Sequence, residues 1–303
     1  MPCFRPLKGW RARAVSRNGK RPIVFNRAHG LVDKPVEVPC GQCVGCRLER
    51  SRQWAIRCVH EAQMHEENCF ITLTYDKDHV PEDGSLRLRD FQLFMKRLRK
   101  RVGKVRFFHC GEYGDKNRRP HYHAILFGFA FSDKVLFRII NNNPLYISNT
   151  LSELWPLGLS SIGDVTFESA AYVARYCVKK VTGEAAEDHY EWPHPDTGEI
   201  VRVLPEYTTQ SREPPIGGAW YEKYKKEVFP CDNVVIRNGI ICRPPKAYDR
   251  RLEASDPKVF RRVRGARVRR AKEHAENNTP DRLRVREEVQ RRRLELLPRK
   301  LEE

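Results

Sequence analysis

The stretch "KVRFFHCGEYGDKNRRPHYHAILFGF", residues 104–129, decides the fold. Two runs rich in aromatic and β-branched residues flank the polar "GDKNRR", which predicts strands over 104–113 and 120–129 joined as a hairpin. In a strand, residues two apart share a face, so His121 and His123 look the same way. If the strands pair symmetrically about the loop, Glu112 lies opposite His121 and Cys110 opposite His123. Opposite residues have Cβ atoms about 5 Å apart. Glu112, His121 and His123 then form one cluster. Two imidazoles and a carboxylate suit a divalent metal with positions left open for water or substrate. A lone H-x-H is more often a pair of ordinary strand residues, and Glu112 across the hairpin is what turns the reading to a metal site. His109 falls on the other face by the same period. Cys110 reads as a small buried residue.

Outward from the hairpin, "CFITLTYD" (69–76) is a strand by composition. "PEDGSLRLRD" is a connector, and "FQLFMKRLRKRV" an amphipathic helix with Phe91, Met95, Leu98 and Val102 inside, ended by Gly103. Residues 130–160 show little pattern beyond a short helix in "LSELWPLG". "IGDVTFES" (162–169) reads as a strand and "AAYVARYCVKK" as a helix ending near Gly183. The order β, α, β, β, insertion, β, α is that of an α+β fold. An antiparallel β-sheet with helices on one face is expected, close to ferredoxin-like or RRM-like sandwiches.

The flanks differ in character. Residues 1–39 read as a loop-rich arm. A helix follows "CGQCVGCR", with Leu48, Ala55, Val59 and Ala62 on one face. Residues 184–250 are rich in Pro, Gly and Tyr and show no clear period. The chain of 303 residues carries 57 Lys and Arg against 39 Asp and Glu, a formal net charge of +18. From Arg243 onward there are 20 basic and 11 acidic residues, so half the excess lies in the last fifth. Arg-rich clusters favour a nucleic-acid partner. In "TPDRLRVREEVQRRRLELL", Thr279 is an N-cap with Pro280 in the first turn. No apolar run is long enough to cross a bilayer, and "MPCFRPLKGW" has no apolar core of a secretory signal, so a cytoplasm is the expected setting.

Ten cysteines in such a chain are expected to be reduced. Cys40, Cys43 and Cys46 stand at two-residue gaps, a spacing that can chelate a structural zinc or part of an iron–sulfur cluster. A ferredoxin-type run would need cysteine at position 50, which is Arg50. A fourth ligand would have to be Cys58, His60 or Cys3. The plainer alternative is a buried turn leading into the helix.

"YVARYCVKK" places Tyr172 and Tyr176 one helical turn apart. Arg175 and Lys179 each follow a tyrosine by three positions. A phenol ionises near pH 10, so it needs a metal, a base or positive charge to attack at neutral pH. Alone, the stretch is an ordinary amphipathic helix; a metal site for the tyrosines to meet gives it a second meaning.

H-x-H on a strand, a later tyrosine helix and an upstream "TLTY" strand together resemble the three motifs of the HUH replication-initiator endonucleases. The resemblance is closest to the initiators of gokushovirus-like microviruses, small single-stranded DNA phages. "CGQCVGCR", "FITLTYD", "GEYGDKNRRPHYHAILFG", "LWPLG", "AAYVARYCVKK", "IGGAWYEKY" and "RPPKAYD" carry it across residues 39–248. The resemblance implies Mg²⁺ or Mn²⁺ held by His121, His123 and Glu112. It implies Tyr172 and Tyr176 as nucleophiles, Lys179 or Lys180 as an auxiliary cation, and a 5′-phosphotyrosine intermediate whose freed 3′-OH primes rolling-circle synthesis. Tyr122 stands where the family name asks for a bulky apolar residue. Arg118, Arg119 and Arg175 are candidate DNA contacts. The implied partners are a single-stranded or supercoiled phage origin, with host helicase and DNA polymerase, in the bacterial host cytoplasm. The organisation is then an arm and helix with the Cys cluster (1–69), an endonuclease core (70–183), an irregular appendage (184–250) and a basic, partly helical tail (251–303). The competing readings are an HUH transposase or plasmid initiator, and a non-catalytic single-stranded nucleic-acid binder.

Overall fold

The computed structural model describes residues 3–17, 19–114, 117–179, 181, 185–193, 197–236 and 239–296, with the side chains of 175–179 and 185 excepted. In chain order the strands are β1 (Leu7–Ala12), β2 (Ile23–Val24), β3 (Gly30–Val38), β4 (Asn68–Tyr75), β5 (Arg106–Tyr113), β6 (Pro120–Phe127), β7 (Val135–Ile140), β8 (Asn143–Ile147), β9 (Gly158–Gly163), β10 (Glu191–Pro193), β11 (Ile200–Arg202), β12 (Tyr207–Gln210), β13 (Val234–Val235) and β14 (Ile241–Cys242). The helices are α1 (Val44–Ala62), α2 (Leu88–Val102), α3 (Asn149–Leu154), α4 (Phe167–Lys179), α5 (Ala185–His189), α6 (Gly218–Val228), α7 (Lys246–Ser255), α8 (Pro257–Lys272) and α9 (Pro280–Glu295). The α+β class expected from the sequence is the class observed. Residues 1–49 with 265–298 make one compact unit and residues 50–264 the other. Among the described residues no helix is long and apolar enough to cross a membrane.

The larger unit is built on a seven-stranded sheet in the order β12-β5-β6-β4-β9-β8-β7, and its paired strands are antiparallel. The β5–β6 register pairs Glu112 with His121 and Cys110 with His123, as the hairpin pattern predicts. β4 flanks β6 on its other side and sets Thr72 beside His123.

Helices cover both faces of this sheet, not one. Phe91, Phe94, Met95 and Leu98 of α2 pack with Ile71, Leu73, Tyr122, Ala124 and Leu126. Ala55 and Cys58 of α1 and Ala170, Val173 and Ala174 of α4 pack on the opposite face with Phe70, Phe108, Cys110, Ile125 and Phe127. The sequence carries the reason: "AILF" (124–127) is apolar at consecutive positions, and a strand needs that only when both its faces are covered. Val102, expected inside, is 40% exposed, in a last turn where Arg101 and Gly103 are exposed too. Gly103 does end α2, at φ 85°.

Three other readings shift. The strand expected over 162–169 lies earlier, at 158–163, because Thr166 and Ser169 cap α4 reciprocally: each side-chain oxygen accepts from the other's backbone N–H. The unpatterned 130–160 holds the β7–β8 hairpin, turning at Asn141 and Asn142, both at positive φ. The arm over 1–39 contains a three-stranded sheet in the order β2-β1-β3. Thr279 caps α9 as expected, its side chain accepting from Arg282 N–H, with Pro280 in the first turn.

α1 is held from two sides. Ile56 packs with Tyr221, Tyr248 and Leu252, away from the sheet cluster that takes Ala55 and Cys58. Buried Glu61 accepts from Arg106 and from the Gly217 backbone. His60 stacks on Trp220, ring centroids 3.5 Å apart, with Nδ1 2.9 Å from the Tyr248 hydroxyl. Burial pushes the His60 imidazole down to about 3 from an ordinary 6.5. The unfolded chain therefore binds a proton at His60 that the folded chain refuses. Stability is intact above pH 6.5 and is lost as pH falls from there towards 3. His60→Gln, which stays neutral, should lose roughly 2–3 kcal/mol less than the parent between pH 7 and pH 4 in urea titrations.

Candidate metal centre

The three residues singled out on β5 and β6 meet at one point. Glu112 Oε1 is 2.7 Å from His121 Nε2 and 2.8 Å from His123 Nε2. The other nitrogen of each ring is anchored elsewhere. His121 Nδ1–H donates to the Arg119 carbonyl at 3.0 Å, and His123 Nδ1 lies 2.9 Å from Thr72 Oγ1. A carbonyl only accepts, so His121 carries a proton on Nδ1 and turns Nε2 to Glu112, the nitrogen that a cation would take in place of its proton. Phe70 stacks on the His123 ring at 5.5 Å and fixes its plane.

Burial grades access to the cluster. Glu112 and His123 are buried, and the His121 side chain is 16% exposed. Burial pushes the Glu112 carboxyl up, but hydrogen bonds from His121 and His123, and their charge, outweigh it and bring it down to about 2. The donor set fits a divalent cation: one acidic oxygen, two imidazole nitrogens, ring orientations fixed by outer partners, and too few protein ligands to close the sphere. A cation there displaces protons, so its affinity rises with pH.

Tyr172 on α4 stands beside this cluster. It is half-buried, and its ring meets His123 edge-on, centroids 5.1 Å apart at 85°. Lys180 and the side chains of Tyr176, Arg175 and Lys179 lie outside the described residues. Arg119 Nη1 donates to the Tyr75 carbonyl, and Arg118, at φ 49°, lays its guanidinium 4.5 Å from the Trp192 ring. Both line a cavity of about 840 Å³ that also takes in Lys77, Glu82, Asp83 and Trp192. His109 is on the opposite face, stacked on Phe91 at 3.4 Å and hydrogen-bonded to Thr209. Cys110 is buried in the α1–α4 cluster.

Thr72 was not legible as part of the site. "TLTY" gave a strand, and only its register against β6 puts Thr72 behind His123. The available signal was the T-x-T alternation on a strand neighbouring H-x-H.

Among the described residues a second group of metal-ligating type exists, Cys3, Cys40, Cys43 and Cys46. The three cysteines read from spacing are joined there by Cys3. Cys58 sits in the α1–α4 cluster and His60 against Trp220, so neither is the fourth member. Burial pushes the Cys43 thiol up, yet N–H groups of Phe4 and Cys46 and neighbouring thiols bring it down to about 7.

Comparison with known proteins gives this arrangement a setting. The family described as replication-associated protein ORF2/G2P matches residues 68–181, which hold the triad and α4. Replication-associated protein VP4 of Bdellovibrio phage phiMH2K is 33% identical over 273 residues, 86% of this chain and 80% of that protein. Replication-associated protein ORF2 of Spiroplasma virus 4 is 32% identical over 234 residues, 71% of this chain and 68% of that one. ORF4 of Chlamydia phage 1, also a replication-associated protein, is 38% identical over 153 residues, 47% of this chain and 38% of that protein. No solved structure matches.

Outer partners of metal-bound histidines typically tune affinity by about 10–100-fold. Thr72→Val should therefore weaken Mn²⁺ binding by about tenfold or more while the circular dichroism spectrum stays unchanged; isothermal titration calorimetry reads the difference.

Proposed function

This chain belongs to the replication-associated proteins of microviruses, and from that premise we propose that it initiates rolling-circle replication by nicking origin DNA with a tyrosine. The observation that carries the reading is the Tyr172 ring against His123, a member of the Glu112–His121–His123 cluster. A helix side chain and a hairpin cluster meet there, which supports pairing a nucleophile of high ordinary pKa with a cation site.

A divalent ion, Mg²⁺ or Mn²⁺, supplies positive charge to the scissile phosphate when bound to this cluster. The chain's own residues do the rest. Glu112, His121 and His123 fix where the phosphate docks, and Thr72 and the Arg119 carbonyl hold the imidazoles in place. The Tyr172 hydroxyl loses its proton and its oxygen bonds to phosphorus. The bond from phosphorus to the 3′ oxygen breaks, that oxygen takes up a proton, and the 5′ phosphate stays on the tyrosine. The new ester conserves the energy of the old one, so rejoining needs no nucleotide. Tyr176, one turn further along α4, is the second nucleophile of the pair and cuts the new strand while the first holds the old. Lys179 or Lys180 lowers the cost of the phenolate, and Arg118, Arg119 and Arg175 contact the strand. The cavity beside Arg118 and Trp192 sets Lys77, Arg118, Arg119 and Trp192 against Glu82 and Asp83, and its basic and aromatic side suits unpaired DNA. The bacterial host cytoplasm, with its helicase and polymerase, is the setting this role requires.

Incubation with labelled single-stranded DNA of the parent genome and Mn²⁺ tests the reading. The wild type should form a covalent adduct, and mass spectrometry should place it on Tyr172 or Tyr176. Changing both to Phe should abolish it. An adduct surviving in the double variant refutes the nucleophile assignment, and no adduct under any metal turns the reading to a non-catalytic binder. Chelation of divalent metal should stop cleavage while DNA retention in a gel-shift assay persists.

A further inference from the structure

Four sulfur atoms converge in the unit formed by residues 1–49 and 265–298. Cys3 comes from the segment before β1, Cys40 and Cys43 from the turn after β3, and Cys46 from the first turn of α1. Cys3 Sγ is 3.8 Å from Cys40 Sγ and 4.0 Å from Cys43 Sγ, and all four sulfurs lie within 4.8 Å of one another. All are free thiols. Thiolates bound to one zinc at about 2.3 Å stand about 3.8 Å apart at the corners of a tetrahedron. A polynuclear iron–sulfur cluster would put metal and sulfide between them and spread them further. The observed spacing is that of a single ion.

We propose that Cys3, Cys40, Cys43 and Cys46 hold one zinc ion in a closed tetrathiolate site that fastens the N-terminal segment to the start of α1. Three further observations support it. Gly41 takes φ 79° between Cys40 and Cys43, a backbone state that glycine enters freely and that folds C-G-Q-C back on itself. Backbone N–H groups are aimed at the sulfurs: Phe4 donates to Cys43, Cys40 to Cys3 and Cys43 to Cys40, at 3.2–3.3 Å. Such bonds favour the thiolate that a metal needs. Finally, this unit has little else to hold it. Its buried apolar residues, among those described, are Cys3, Phe4, Ala12, Cys43 and Leu283. A core that small ordinarily needs a metal or a disulfide.

The site shares no residue with the Glu112 cluster, has no open position, and so is structural. The test uses the full chain purified under reducing conditions without added metal. Elemental analysis should find about one zinc per chain, retained in His121→Ala/His123→Ala and lost in Cys3→Ser. Zinc-edge X-ray absorption on the wild type, which needs no variant to fold, should show four sulfur neighbours at about 2.3 Å. Absence of stoichiometric zinc, iron in its place, or nitrogen and oxygen in the first shell would overturn the proposal. So would full zinc retention in Cys3→Ser.

Discussion

A slip of one residue between β5 and β6 would turn Glu112 away from the face that carries His121 and His123. The cluster exists because the register is locked, and it is locked from both sides. β6 lies between β5 and β4, so each histidine sits in a three-strand row: Glu112, His121 and Thr74, then Cys110, His123 and Thr72. The two rows supply the carboxylate, both imidazoles and the hydroxyl behind one of them. The next residues along β6 on that face, Ile125 and Phe127, bury themselves under α1 and α4. Metal geometry and core packing therefore depend on the same pairing.

The two sheet faces divide the work. The α2 face is a packed core in which the Tyr75 and Tyr122 hydroxyls lie 2.8 Å apart and Tyr75 donates to Asp90. Tyr122, the residue between the histidines, belongs to this face. Its hydroxyl donates to the Arg87 carbonyl and accepts from its N–H, so a polar tip is used where an apolar residue would suffice. The α4 face grades from core at Phe127 to the candidate metal centre at His121. α4 serves both ends, with Val173 and Ala174 in the core and Tyr172 at the cluster.

What was legible followed from period and chemistry. The triad register needed only a hairpin and alternation. The end of α2 needed only Gly103. The start of α4 was misplaced because "VTFES" looks like a strand by composition, while the Thr166–Ser169 cap acts through two short side chains whose effect shows only in geometry. The β1–β3 sheet was invisible because few of its residues are buried and they leave no apolar alternation to read. The β7–β8 hairpin was hidden for the same reason, with Val135, Leu136, Phe137 and Ile139 all exposed despite being apolar. Cys3 stood as one of three candidates for a fourth ligand, since a contact spanning 37 residues has no local signature.

A buried carboxylate constrains what surrounds it. Glu112 is 1% exposed, and an ionised group that deep is tolerated only with paired charge or bonded protons around it. His121 and His123 provide that in the protein alone, and a divalent cation provides it more strongly. In the proposed role the histidines therefore answer two demands, holding a cation and compensating Glu112. Removing either leaves an undercompensated charge in the core, so a histidine variant loses stability and metal affinity together and cannot separate the two. Thr72 hydrogen-bonds His123 Nδ1 and carries no charge. It is the position at which metal affinity can change while the electrostatic balance around Glu112 stays in place.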